Sequence, residues 1–249
     1  RSPAGMEAAV TLKQRGFDVV VFDKRDEIGG NLHVAKKPPF KGKFEWAIDY
    51  YKSMAKKLNI TMKLGKEVTA QEVLALKPYS ILVATGSNVI SIPLEGLDQV
   101  QTVQAHDVLA NDMQFANKKV VVIGGGITGL ETALYINRQG TNQVSVVDML
   151  PEWPVDMLDM RYQNEALLEV RHCNDQGVAL FYNNKVVKFA DGKLFIESTK
   201  DGEVKELPAD VIVLSVGVKP NDALWQELLA SGHPSVWKAG DAIATGKIN

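Results

Sequence analysis

The sequence predicts an α/β protein built on parallel sheets with antiparallel additions. Three observations carry that prediction. Short apolar runs at Val120–Ile123 and Val211–Leu214, and the valine-rich Val144–Val147, alternate with stretches of helical periodicity, as strands buried on both faces do. The first of these runs leads directly into Gly124, Gly126 and Gly129 at G-x-G-x-x-G spacing, followed by LETALYINRQ, which reads as a helix. The same strand-and-helix pattern recurs at the start of the chain. Gly5 falls on Gly129, Glu7 on Glu131, Ala9 on Ala133, Gly16 on Gly140 and Asp23 on Asp148, with Leu12 and Ile136 on one helix face.

Each glycine of the later copy has a physical task. Gly124 lets the strand turn sharply, Gly126 lets a pyrophosphate approach the backbone, and Gly129 lets the helix lie close to the strand. The phosphates would then sit at the positive end of the helix. Asp148 ends the next strand about twenty residues further on, where an acid accepts a hydrogen bond from a ribose hydroxyl. The predicted fold is therefore two Rossmann-like dinucleotide-binding domains. In the first copy Gly5 stands for the third glycine and Ser2 occupies the place of the second. The first strand and first glycine have no counterpart, so the first domain is expected to be truncated.

Composition narrows the function classes. A formal net charge of −2 favours neither nucleic acid nor an anionic membrane, and no apolar run reaches transmembrane length. Cys173 is the only cysteine, which rules out an intrachain disulfide and a cysteine-built metal cluster. His33, His106, His172 and His233 are too scattered to suggest a metal site, so none is expected. The absence of a basic-then-apolar leader pattern and the cysteine count lead to the expectation of a cytoplasmic protein.

In chain order, PAGMEAAVTLKQRG reads as the first helix and VVVFD as a strand. Gly29 and Gly30 permit a tight loop. KKPPFKGK is a basic surface connection. Phe44–Leu58 is an amphipathic helix with Trp46 and Tyr50 off its apolar stripe, both read as packing residues. Ile60–Leu64 is a strand, TAQEVLALKP a helix stopped by Pro78, and Ser80–Ala84 a buried strand running into Thr85 and Gly86. The carboxyl end of a parallel strand is where ligands bind in open α/β sheets. Val103–Leu109 is predicted as a short helix, and Asn111–Lys119 as a polar boundary. After Asp148 come a loop with Pro151 and Pro154 and a helix over Met160–His172. VALFY, KVVKFA, KLFIEST and EVKEL then form an antiparallel meander, two of its turns marked by Asp-Gly pairs. VIVLSVG returns as a buried strand, Ala223–Leu229 is a short helix, and a last strand meets Gly240-Asp241.

The order PAGMEAA, VVVFDKRDEIGG, ILVATGS, VVIGGGITGLE, VSVVD, VIVLSVGVKPN, VWKAGDA resembles the flavoproteins with two dinucleotide-binding domains. IGGNL followed by KPPFKGKFEWAIDYYKSMAKKLNI narrows the likeness. It resembles the C-terminal half of the 2,4-dienoyl-CoA reductase, enoate reductase and trimethylamine dehydrogenase family. The resemblance covers nearly the whole chain. It implies FAD in the first domain and NAD in the second, with hydride passing from NADH to the flavin. It also implies a partner: an N-terminal barrel of the parent enzyme that carries FMN, the organic substrate and a 4Fe-4S cluster. None of that barrel is in this sequence.

By residue, the resemblance places Gly5, Asp23, Gly29, Gly30, Thr85, Gly86, Gly240 and Asp241 along FAD. It places Gly124, Gly126, Gly129 and Asp148 on NAD, with Gly217 near the nicotinamide. It names no catalytic side chain. Glu131 matches a family acid, and as a first-turn acid it would equally complement the helix dipole. Cys173 reads as a small packing residue. The expected domains are 1–112 with 222–249 for FAD, truncated at both ends, and 113–221 for NAD. A chain beginning at Arg1 is expected to bind NAD normally and FAD weakly. Two other classes stand beside the NADH-oxidising module. A disulfide oxidoreductase of similar architecture would need a cysteine pair that this chain lacks. A module holding ADP structurally, as in trimethylamine dehydrogenase relatives, would lack the flavin spectrum.

Overall fold

The computed structural model describes residues 3–151 and 160–245. The chain opens with α1 (Pro3–Gln14), β1 (Val20–Phe22), the short α2 (Leu32–Ala35) and α3 (Phe44–Lys57). Then come β2 (Thr61–Lys63), α4 (Ala70–Ala75), β3 (Ile81–Val83), β4 (Ser87–Val89), β5 (Gln101–Gln104) and α5 (Ala105–Ala110). The central stretch is β6 (Lys119–Ile123), α6 (Ile127–Asn137), β7 (Gln143–Val147), α7 (Met160–Asp175) and β8 (Ala179–Phe181). It continues through β9 (Asn184–Ala190), β10 (Lys193–Ser198), β11 (Val204–Pro208) and β12 (Val211–Leu214). The chain returns through β13 (Val218–Pro220), α8 (Ala223–Ala230) and β14 (Val236–Lys238). These elements form two compact units. The first runs through Lys36, resumes over Phe40–Asn88 and again from Val218; the second comprises Lys37–Pro39 and Val89–Gly217.

The second unit is a three-layer structure around a five-stranded sheet of order β5-β12-β6-β7-β8, parallel throughout. Strand alternation sends the two sets of side chains to opposite faces. Val120, Val122, Val144, Val146, Val211 and Val213 face α5, α6 and α7, where Val108, Leu130, Leu134, Ile136, Val170 and Cys173 complete one core. Val121, Ile123, Val147, Ile212 and Leu214 face the other way, onto Phe189, Leu194 and Ile196 of the β9-β10-β11 sheet. That sheet is antiparallel, so the meander serves as the second covering layer. Burial on both faces explains why β6 and β12 read as unbroken apolar runs. At the Asp191-Gly192 turn both residues have positive φ (51° and 73°), as a tight hairpin with the strand twist demands.

Two sequence assignments are corrected in this unit. The run beginning at Val103 is not wholly helical: Gln101–Gln104 is an edge strand beside β12, and helix begins only at Ala105. A four-residue strand with one partner has too short a repeat to stand out from the helical spacing that follows it. VALFY does not join the meander; β8 pairs in parallel with β7 and forms the other edge of the main sheet. The expected loop over 149–157 lies largely outside the described residues.

The first unit holds two two-stranded parallel sheets, β1-β2 and β14-β3. Met6, Ala9 and Val10 of α1 pack with Ala55 of α3 and Ile60 over the first pair, while Leu228 of α8 covers Ile81 and Val83 of the second. A capping box starts α4: the Thr69 hydroxyl accepts the Glu72 N–H and the Glu72 carboxylate accepts the Thr69 N–H. Trp46 and Tyr50 do not pack as expected. They are 69% and 48% exposed on α3, and the Lys43 ammonium lies 5.9 Å from the Trp46 ring centre.

The internal repeat is visible in detail. Gly16 and Gly140 both take positive φ, two and three residues past their helices, and Ala9 and Ala133 are both buried. Leu12 departs from it, since it is 37% exposed whereas Ile136 is fully buried. Among the described residues no helix is long and apolar enough to cross a membrane, and no group of His, Cys, Asp and Glu could hold a metal ion.

Candidate functional site

In the second unit the site forms at the carboxyl ends of β6, β7 and β12. Gly124 leaves β6 with φ +108°, and its N–H donates to the Val147 carbonyl at 2.8 Å. A Cβ on Gly124 would lie 2.3 Å from the Ser215 carbonyl oxygen, just beyond β12. Gly129, in the first turn of α6, sits so close to the strand exit that a Cβ there would lie 1.9 Å from the Gly124 carbonyl oxygen. The glycines therefore set the distance between helix and strand. Gly126 differs in kind: it caps α6, and a Cβ there would meet nothing within 4 Å. That open space over the helix N-terminus is what a phosphate-binding turn requires, and the helix supplies its unpaired first amides.

Asp148 follows β7 and reaches back to this turn. Its Oδ2 accepts the Gly125 N–H at 2.6 Å and its Oδ1 accepts the Leu150 N–H at 2.9 Å. Gly124, Gly126, Gly129 and Asp148 are thus brought together. Gly217 lies three residues beyond β12 with φ +101°, and its carbonyl accepts the Ile90 N–H at 3.0 Å. Sequence reasoning missed Gly125 and Ser215. A Cβ on Gly125 would lie 3.0 Å from the Tyr182 ring and 3.1 Å from Asp148 Cβ. The signal was present in three consecutive glycines, of which the motif explains only the outer two. Glu131 is not a first-turn acid; it is the fifth residue of α6 and 8% exposed, so it does not serve as an N-terminal charge complement.

In the first unit the named residues form two groups. Asp23, 2% exposed at the end of β1, accepts the Arg25 N–H on Oδ1 at 3.0 Å. Asp148 makes the same bond to the residue two places on, so the two copies share this local turn. Arg25 in turn donates from Nη1 to the Gly30 carbonyl at 2.8 Å, which ties Asp23 to the Gly29-Gly30 loop. In the other group, the Thr85 hydroxyl donates to the Asn221 carbonyl and the Asn221 N–H donates to the Gly86 carbonyl at 2.9 Å. Gly240 and Asp241 follow β14, the parallel neighbour of β3, and so share a sheet end with Thr85 and Gly86. Helix α1, which begins with Gly5 in its first turn, lies against the turn at Gly240–Ala242. Ser2 lies outside the described residues.

Cys173 lies on α7 with no exposed surface, and its thiol approaches the Leu130 carbonyl at 3.8 Å. Burial, reinforced by the Glu169 carboxylate, pushes the thiol up to about 12. It is a packing residue of the helical face.

A match to the pyridine nucleotide-disulphide oxidoreductase family runs over residues 2–243. NADH oxidase of Thermoanaerobacter brockii is 32% identical over 99% of this chain and 37% of its own length. Bilirubin reductase of Mediterraneibacter gnavus is 34% identical over 88% of this chain and 33% of its own. A solved structure of 2-naphthoyl-CoA reductase with 2-naphthoyl-CoA superposes with a TM-score of 0.88 at 28% identity, over 99% of this chain and 36% of that one. The chain thus spans about a third of the length of these relatives. The chain belongs to the pyridine nucleotide-disulphide oxidoreductase family, whose members are flavin- and nicotinamide-dependent oxidoreductases.

Proposed function

We propose that the chain is an NADH-oxidising flavoprotein module that passes hydride from NADH to FAD. It would serve as the electron input of a reductase of enoyl- or dienoyl-CoA type, whose barrel with FMN and a 4Fe-4S cluster lies outside this sequence. One observation carries the reading. An acid at the end of the second strand of a complete glycine turn, Asp148, lies within hydrogen-bond distance of that turn. That is the arrangement that binds the adenosine ribose and pyrophosphate of a dinucleotide. The names of the matched relatives, an NADH oxidase and a bilirubin reductase, support the same class. The family also contains enzymes that work through a cysteine pair, and the single, buried Cys173 argues against that chemistry in this chain.

In this reading Gly124, Gly126, Gly129 and Asp148 hold NADH, with Gly217 on the nicotinamide side. Gly5, Asp23, Gly29, Gly30, Thr85, Gly86, Gly240 and Asp241 hold FAD. The open space over Gly126 fits a pyrophosphate, and the buried Asp23 carboxylate at a strand end fits a ribose. Bound flavin would supply the hydride acceptor, and the protein positions the two cofactors. The flavin absorbance of purified protein separates this reading from a module that holds ADP alone.

Asp148 also decides between the two nicotinamide cofactors. Its carboxylate accepts from a 2′-hydroxyl and repels a 2′-phosphate. Met149 and Leu150, both exposed, bring no positive charge to offset it. The expected preference for NADH over NADPH is at least about tenfold in kcat/KM, roughly 1.4 kcal/mol. Equal steady-state values for the two would defeat it. The chain supplied with flavin is also expected to reduce an artificial acceptor from NADH but no enoyl or dienoyl thioester. Thioester reduction without an added FMN barrel would overturn the modular reading.

A further inference from the structure

The geometry points to a second duty for Asp148. Besides meeting the ribose, its carboxylate holds the phosphate turn and the loop after β7 in shape, and so positions the pyrophosphate. The inference rests on the nucleotide-binding reading of the second unit.

The two carboxylate oxygens are divided between two backbone segments: Oδ2 takes the Gly125 N–H at 2.6 Å and Oδ1 the Leu150 N–H at 2.9 Å. Hydrogen bonds from amides to an ionised carboxylate are shorter and stronger than neutral ones. The base of the side chain is rigid. The Asp148 N–H donates to the Phe181 carbonyl and its own carbonyl accepts the Asn184 N–H, both at 2.9 Å. The absence of a side chain at Gly125 eases this approach, since a Cβ would lie 3.3 Å from Oδ2 and 3.0 Å from the Tyr182 ring, both tight contacts. Its amide is committed to Asp148, and the amides at the start of α6 are left for the phosphates.

Each carboxylate oxygen has about two lone-pair sites, so each keeps one after these bonds. Holding the loops and accepting from a ribose diol are therefore simultaneous. Replacing the acid with a small neutral residue, the obvious way to admit a 2′-phosphate, would also release the turn. Loss of Asp148 should then weaken NADH and NADPH together rather than exchange one for the other.

The test compares ADP with 2′,3′-dideoxy-ADP, which has no diol, by calorimetric titration into the chain and its Asp148→Ala and Asp148→Asn variants. An acid serving the ribose alone would leave dideoxy-ADP binding unchanged on substitution. The expected result is a loss of about tenfold or more for dideoxy-ADP with alanine. Asparagine, whose carbonyl still accepts the Gly125 N–H, should recover part of it. Unchanged dideoxy-ADP affinity in Asp148→Ala overturns the inference.

Gly125→Ala serves where Asp148→Ala does not fold. It presses a methyl toward Oδ2 and the Tyr182 ring and so disturbs the contact between turn and acid, and dideoxy-ADP, which has no diol to lose, should bind more weakly; undiminished dideoxy-ADP binding counts against the proposal. Amide exchange adds a readout without nucleotide. The Gly125 N–H should be protected in the unsubstituted chain and exposed in Asp148→Ala, whereas rapid exchange in the former overturns the inference. The arms separate two failures. A protected amide in a chain that binds no ADP defeats the nucleotide reading. Normal ADP binding with indifferent dideoxy-ADP defeats the positioning role.

Discussion

Gly129→Ala is expected to lower the stability of the second unit and to weaken NADH binding at once. A Cβ at 129 would stand 1.9 Å from the Gly124 carbonyl oxygen and 3.0 Å from its carbon, both of them backbone. No side-chain rotation relieves such an overlap, so α6 must move off β6. That helix contributes Leu130, Ala133, Leu134 and Ile136 to the core. The cost should reach the upper part of the overpacking range, roughly 3 kcal/mol. For a protein of this size that lowers Tm by roughly 6–12 °C. NADH affinity should fall by about tenfold or more, the effect of losing even one amide hydrogen bond to a charged phosphate when the start of α6 is displaced.

Gly126→Ala is the matched comparison. Its φ of −65° suits any residue and its Cβ would meet nothing within 4 Å, so stability should stay within about 0.5 kcal/mol. The new methyl would nevertheless occupy the space assigned to the pyrophosphate, and NADH should bind weakly. Scanning calorimetry and titration on both variants check the pair. Normal NADH binding by Gly129→Ala, or by Gly126→Ala, would show that the phosphates lie elsewhere.

The second largest effect concerns Cys173. With the thiol raised to about 12, roughly one molecule in 10⁴ carries the thiolate at pH 8. An unperturbed cysteine near 8.5 is about a quarter ionised under the same conditions. Burial of the whole side chain adds a steric barrier. Alkylation by iodoacetamide at pH 8 should be at least about 10³-fold slower in the folded chain than in denaturant. The sign is that of an acid held protonated: reactivity should rise about tenfold per pH unit through 7–9 and beyond without levelling off, whereas that of an unperturbed cysteine flattens above about 8.5. Mass spectrometry after timed quenching measures the rate, and labelling of the native chain within tenfold of the unfolded rate would contradict the packing assignment.

What could be read in the sequence, and what could not, follows from how far apart the partners lie. The glycine turn was legible because strand, turn and helix are contiguous and each glycine has a local reason. The meander was legible through Asp191-Gly192, whose positive φ values are a local demand. Gln101–Gln104 was not, because what makes it a strand is its pairing with Val211–Leu214 more than a hundred residues away. The division of the Asp148 carboxylate between Gly125 and Leu150 was equally hidden. A motif names the acid but not which amides reach it. The exposure of Trp46 and Tyr50 shows the opposite error, a residue type taken as evidence of burial when neither lies on the apolar stripe of α3.

The parallel pairing of β3 with β14 has a consequence for synthesis. The hydroxyls of Ser80 and Ser235, which meet beside that pair, are 155 positions apart in the chain. At ribosomal rates of about 5–20 residues per second, β3 waits roughly 8–30 s for its partner. The sheet of the inserted unit is meanwhile complete once Leu214 has emerged, so vectorial synthesis favours its folding first. During that interval Ile81–Val83 presents an open apolar edge, the kind of strand that recruits other chains. A ribosome stalled between Gly217 and Val236 would therefore release a product with a finished glycine turn and an unfinished, association-prone first unit.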